Sequence, residues 1–181
     1  MKSSHWILAA VGLVSLLAGV LLFQWLNPAP DPARPQTGGK PIELHAIPLT
    51  ALDGTESVLG GREEPILIVN FWAPWCAPCR REIPALLQIQ DEFADAGLRV
   101  LGLSFDGEAP VRRFADEYSI DYPLFLVGNR STMYNAAFGN PSGALPFTAI
   151  VNAERDIVYR HNGELTADQL RQQLDALLNP D

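Results

Sequence analysis

Reactive side chains are scarce in this chain of 181 residues. Cysteine occurs only at Cys76 and Cys79, so none is left over for attaching a lipid. Histidine occurs at His5, His45 and His161. A zinc site usually takes four ligands, and with His5 flanking a long apolar run the remaining set is too small for metal. His45 and His161 are expected to be surface or structural residues. Lysine stands only at Lys2 and Lys40, and the formal net charge is −8, which argues against nucleic-acid binding. There is no internal repeat and no phosphate-cradling glycine motif. Two cysteines without a third suit an oxidising compartment, where an odd thiol is a hazard.

The chain is organised around Ile66 to Pro84, ILIVNFWAPWCAPCRREIP. An apolar run, Ile66 to Phe71, has the character of a strand covered on both faces. It breaks at Trp72-Ala73-Pro74-Trp75 and delivers Cys76 and Cys79 to a helix start. That spacing puts both sulfurs on one side of the first turn, close enough to close a small disulfide ring. Unpaired N–H groups at a helix start favour a thiolate by about 0.3–1 kcal/mol, and about 2 when partly buried. At about 1.36 kcal/mol per unit, a cysteine pKa there falls by up to about 1.5 units. The thiolate is the attacking species, so the pattern points to redox chemistry.

Position divides the work between the sulfurs. Cys76, beside Trp75, is expected to be the exposed nucleophile, and Cys79, one turn in, the resolving thiol. Pro78 suits the helix start, where its missing N–H has no partner to lose. Arg80 and Arg81 add positive charge, though both can point to water. A purely structural disulfide is the rival reading, but so short a ring restrains the unfolded chain little.

Three segments are expected: an anchor at 1–26, a linker at 27–41 and a single domain at 42–181. Trp6 to Leu26 carries no charge, and as a helix it would span about 30 Å, the thickness of a bilayer's hydrocarbon core. Trp6 and Trp25 lie near its ends, as interfacial aromatics do. A cleaved signal peptide is the alternative, but its apolar stretch is usually about 7–15 residues, so an uncleaved anchor is favoured. Asn27 to Pro41 is proline-rich and without periodicity, the pattern of an extended spacer.

Within the domain, Pro48–Leu52 and Thr55–Leu59 read as a hairpin, with Asp53-Gly54 supplying the positive φ angles of a tight turn. The helix after the cysteines is expected to carry Ile83, Leu86, Leu87, Gln90 and Phe93 inward, to kink at Pro84 and to end at Gly97. Leu98–Phe105 completes a strand–helix–strand unit with a parallel pair. A helix follows to Tyr118, and a short one around Ser131–Phe138 places Met133, Tyr134 and Phe138 in the core rather than in a substrate groove. Phe147–Val151 and Ile157–Arg160 form a closing antiparallel hairpin. Thr166-Ala167-Asp168-Gln169 is a capping box opening a last helix, with Leu170, Leu174, Leu177 and Leu178 facing inward. Asn70, the polar exception in the central strand, reads as a buried amide satisfying backbone groups. Pro146 cannot sit inside a ladder and belongs at the first residue of a strand.

On NFWAPWCAPCRREIP and GALPFTAIVN the sequence resembles the thioredoxin superfamily, within it the membrane-anchored TlpA/ResA-like thiol–disulfide oxidoreductases of bacterial envelopes. The resemblance runs from about Ile42 to Leu178. It implies a thioredoxin-like α/β fold, a central mixed sheet flanked by helices, here with an N-terminal β-hairpin extension and a transmembrane helix. The family's tryptophan before the first cysteine matches Trp75, and its helix-kinking proline matches Pro84. Its cis-proline, which faces the cysteines and pairs with substrate backbone, matches Pro146 in Leu145-Pro146-Phe147. Trp75, Leu145 and Pro146 are therefore expected to bind substrate. Thioredoxin's acidic residue before the motif is replaced by Asn70, and in the ResA-like branch the glutamate that handles protons matches Glu82. Glu82 lies one turn beyond Cys79, so a shielded carboxyl there would have a raised pKa and could take the Cys79 proton. A solvated glutamate paired with a neighbouring arginine is the alternative. Asn152-Ala153-Glu154 departs from the family's acidic residue and glycine in that turn.

The function implied is reduction of disulfides in envelope proteins, including apocytochrome c during cytochrome c maturation, with a membrane electron donor for re-reduction. No cofactor is implied. The location implied is a single-pass protein of the bacterial inner membrane with its catalytic domain in the periplasm. A peroxidase is a weaker alternative, since Ala73 stands where its thiol pocket wants threonine. A tethered redox sensor that exchanges once is the other.

Overall fold

A computed structural model describes Gly19 and residues 43–179. The chain divides into two units, Met1–Gly38 and Gly39–Asp181, and the elements below belong to the second. The expected anchor, apart from Gly19, and the whole of the expected linker lie outside the described residues. Among the described residues no helix is long and apolar enough to cross a membrane.

Five strands form one mixed sheet in the order β5-β4-β3-β6-β7. They are β3 (Ile66–Trp72), β4 (Leu98–Ser104), β5 (Leu124–Leu126), β6 (Phe147–Val151) and β7 (Ile157–Asn162). β3 runs parallel to β4, and β4 to β5, while β6 is antiparallel to both β3 and β7. The helices are α1 (Ala77–Glu92), α2 (Glu108–Tyr118), α3 (Ser131–Phe138) and α4 (Ala167–Leu178). A separate hairpin, β1 (Pro48–Thr50) with β2 (Glu56–Val58), precedes the sheet. It reaches the sheet's edge through a bridge between Ala51 and Phe125.

Alternation along β3 sorts the core into two halves. Ile68 and Trp72 point to the side covered by α1, α2 and α4, where Ile83, Leu86, Phe114, Leu170 and Leu174 are buried with both cysteines. Leu67, Val69 and Phe71 point to the other side, against Leu49 of the hairpin and Tyr134 and Phe138 of α3. There Phe71 meets Phe105, Phe138 and Phe147 with ring centroids 5.2–5.6 Å apart. Burial on both faces explains the apolar run of β3, in which only Asn70 is polar.

Most expected elements form where their patterns place them, and the departures have local causes. At Ala51–Thr55 only Gly54 has positive φ, +84°, and Asp53 does not. The Gly54 N–H donates to Ala51 O and the Ala51 N–H to Thr55 O, so the turn is a three-residue loop rather than the two-residue one Asp-Gly suggested. β5 was hidden from the sequence because its three residues, Leu124-Phe125-Leu126, are too few to show a period. The helix after the motif ends at Glu92, and a 3-10 turn over Ala94–Ala96 carries the chain to Gly97 at φ +77°. Leu170 and Leu174 of α4 are buried, but Leu177 and Leu178, at the end of the helix's last turn, are 37% and 39% exposed. The capping box at Thr166 and Gln169 is present. In the turn that departs from the family, Arg155 takes the left-handed conformation at φ +65°. Its buried guanidinium donates to the carbonyls of Arg62, Glu64 and Asn152, which holds the turn without a glycine.

Candidate active site

Cys76 is the N-cap of α1, with extended backbone, and Pro78 occupies the first turn. The two cysteines are joined by a disulfide with Cα atoms 5.3 Å apart. The Cys79 N–H points at Cys76 Sγ, 3.3 Å away. A helix start thus aims an unpaired amide and the positive end of its dipole at the sulfur that would carry charge after reduction. Cys79 is fully buried, and Cys76 is only 6% exposed. Cys76 was expected to be open to solvent; the wall of Ala73, Trp72 and neighbouring apolar side chains covers all but an edge of it. Trp75 beside it is 68% exposed, the most exposed large apolar side chain among the described residues.

Opposite lies the Leu145–Pro146 bond, which is cis. Phe147 pairs with Phe71 in the antiparallel β6–β3 register, so Pro146 stands across from Trp72, at the end of β3 that leads to Cys76. The Pro146 carbonyl accepts from Gly163 N–H at 2.9 Å. Leu145 is half-buried and packs against the cluster that contains both cysteines. Neither of its backbone groups has a partner among the described residues.

Glu82 is buried, at 1% exposure, three residues beyond Cys79 on α1. Its Oε1 accepts from Asn70 Nδ2 at 2.6 Å, and its Oε2 accepts from the Leu165 N–H at 3.1 Å. Burial pushes its pKa up to about 7, the two donors pull the other way, and the negative charge of Glu164 adds to the rise. Among the described residues no arginine pairs with it: Arg81 turns outward to Glu164 at 2.6 Å, and Arg80 is exposed. Asn70 satisfies side chains rather than the backbone groups expected for it, donating also to Thr148 Oγ1 at 3.1 Å. The arrangement holds a dithiol pair, a buried carboxyl able to exchange a proton near neutral pH, and an exposed aromatic lip.

The sequence matches the AhpC/TSA family over residues 27–160. The chain belongs to that family. YneN, a thioredoxin-like protein of Bacillus subtilis (strain 168), is 35% identical over 131 residues, covering 70% of this chain and 74% of that protein. The thiol-disulfide oxidoreductase ResA of Halalkalibacterium halodurans is 28% identical over 134 residues, 74% of this chain and 73% of its own. Among solved structures, a thiol:disulfide interchange protein of the thioredoxin family from Chlorobium tepidum TLS superposes with a TM-score of 0.65 at 22% identity, covering 79% of this chain and 100% of its own. That likeness establishes the thioredoxin-like fold.

In this AhpC/TSA-family chain the residues singled out in the sequence come together at one end of the sheet: Cys76 and Cys79 on α1, Glu82 a turn below, Leu145 and Pro146 alongside. Those not foreseen are Thr148 and the Leu165 N–H, which complete the seat of Asn70 and Glu82. Thr148 left a trace, a polar residue inside an apolar strand; the Leu165 amide left none, since every residue but proline carries one.

Proposed function

We propose that this chain is a thiol–disulfide oxidoreductase that reduces disulfides of partner proteins through Cys76 and Cys79. The observation that carries the reading is a disulfide at a helix N-terminus with a buried carboxyl of raised pKa one turn beyond it. In the reduced protein the Cys76 thiolate attacks a partner disulfide, forming a mixed disulfide and releasing the partner's other sulfur as thiolate. Ionised Glu82 takes the proton of Cys79, and the resulting thiolate attacks Cys76 Sγ. The second partner sulfur leaves, the Cys76–Cys79 bond closes, and two electrons have passed to the partner. Trp75 offers it an apolar surface, and the unpartnered backbone of Leu145 beside Pro146 offers it hydrogen bonds.

The finer reading is a single-pass protein of the bacterial inner membrane. The uncharged run Trp6–Leu26 would anchor it, 27–41 would act as spacer, and the domain would lie in the periplasm. Its partners would be envelope proteins with disulfides, apocytochrome c among them, and re-reduction would draw two electrons from a membrane donor. The uncharged run, the proline-rich segment that follows and the absence of a third cysteine support this.

Cys79→Ser in the full chain is expected to accumulate a mixed disulfide on Cys76, and Cys76→Ser to abolish exchange. Capture of no cysteine-bearing partner by Cys79→Ser, or exchange that survives Cys76→Ser, overturns the reading. Repeated turnover with a dithiol donor separates it from a sensor that exchanges once.

A further inference from the structure

The loop between α3 and β6 carries a buried side chain that the disulfide chemistry does not use. Asn140-Pro141-Ser142-Gly143 has the residue order of a common β-turn, with asparagine first, proline second and glycine last. The turn forms: the Gly143 N–H donates to Asn140 O at 3.0 Å, and Gly143 takes φ +63°. Its tip, Pro141 to Gly143, is exposed, while Asn140 at its base is 0% exposed.

A buried side-chain amide needs partners, and this one finds them in its own loop and on the neighbouring helix. Nδ2 donates to Ala144 O at 3.0 Å and to Asn135 Oδ1 of α3 at 3.2 Å. Oδ1 accepts from the Ala144 N–H at 3.1 Å and from Ser142 Oγ at 3.4 Å. The two donors and two acceptor sites of the amide are all engaged. The Asn140 backbone N–H donates to Asn135 O at 2.8 Å, which ties the loop to the end of α3.

The Asn140 side chain thus meets both backbone groups of Ala144, as an opposing residue in a ladder would. The next residue is Leu145, whose own N–H and C=O have no partner among the described residues. Standing before a proline, Leu145 is confined to extended backbone. Its side chain packs against both halves of the core. Leu145 is therefore fixed by its side chain, by Pro146 after it and by the pinned Ala144 before it. An extended residue with open backbone groups is what a further strand pairs with.

We propose that Asn140 is a positioning residue for partner binding: by pairing with Ala144 it holds the Leu145 N–H and C=O in place for the backbone of an extended polypeptide segment that flanks the partner's disulfide. The loop is ordered before the partner arrives, so binding does not have to order it. The consequence is selectivity. A disulfide carried on a peptide backbone gains from the arrangement, and a small disulfide without amide groups does not. This inference rests on the partner surface at Leu145 and Pro146 proposed above.

The test sets the reduced full chain and Asn140→Ala against two probes: a synthetic peptide closed by a single disulfide, and hydroxyethyl disulfide, which has no amide groups. Asn140→Ala is expected to raise KM for the peptide about tenfold, the worth of one or two hydrogen bonds, with kcat little changed. The preference for peptide over hydroxyethyl disulfide, as a ratio of kcat/KM values, is expected to fall by about the same factor. A preference equal in the two proteins overturns the inference. Amide hydrogen exchange tests it without altering Asn140, by comparing the wild type with Cys79→Ser joined to the peptide through Cys76. The Ala144 amide is expected to exchange slowly in both, and the Leu145 amide to slow at least about tenfold in the mixed disulfide. An unprotected Ala144 amide in the wild type, or a Leu145 amide that the peptide leaves unchanged, overturns the inference while the captured peptide leaves the proposed function standing. A wild type that exchanges with neither probe removes the proposed function, and this inference with it.

Discussion

Replacing Glu82 with glutamine tests the electrostatics beneath the disulfide. The native carboxyl has a pKa of about 7, against 4.5 for an ordinary glutamate. Between those two values the folded protein holds a proton that the unfolded chain has already released, so stability falls as pH rises across that window. Above it the carboxyl is ionised in both states and the loss is complete. At about 1.36 kcal/mol per unit, the gap amounts to about 3 kcal/mol. Glutamine has nothing to ionise. It offers one acceptor where Glu82 offers two, to Asn70 Nδ2 and to the Leu165 N–H, and that offset is the same at every pH. The quantity to compare is therefore the change between two pH values. Urea unfolding of the oxidised protein at about pH 5 and about pH 8 is expected to show wild type losing about 2.5 kcal/mol more than Glu82→Gln over that interval, since part of the change lies below pH 5. Parallel pH dependence in the two proteins would refute a buried carboxyl with a raised pKa.

The same carboxyl must be ionised to accept the Cys79 proton, so disulfide reduction is expected to accelerate as pH rises through about 7. Glu82→Gln is expected to lower the rate by about 100-fold or more and to abolish that rise, read by stopped-flow release of the partner thiol. Trp75→Ala removes a side chain that is 68% exposed, so unfolding is expected to change little while KM for a protein disulfide rises about tenfold. An unchanged KM would remove Trp75 from the partner surface. Gly102→Ala would place a Cβ 2.6 Å from Leu124 Cδ2, and overpacking of this kind costs about 1–3 kcal/mol in denaturant unfolding. A neutral result would mean that β4 and β5 shift apart freely.

Much of this protein was written in short-range pattern. The dithiol and its helix start were visible because the cap, the proline and the strand that leads in are neighbours in sequence. The hairpins, the capping box and the run of β3 followed for the same reason, each being set by residues within a few positions. Glu82 could be placed on the cysteine face of α1 from helical spacing alone. What covers it could not, since its donors come from β3 and from the loop before α4, 12 and 83 residues away. Exposure followed the same division. Spacing told the outer cysteine from the inner one, while the packing of the sheet and its helices left even Cys76 only 6% exposed. The close packing at Gly102 appears only when β3, β4 and the segment before β5 lie side by side. Local sequence therefore determined which atoms are placed as the candidate reacting pair, because a helix start and a dithiol are built from adjacent residues. Tertiary structure alone decided how readily they ionise, because desolvation and hydrogen-bond partners are supplied by parts of the chain that meet only after folding.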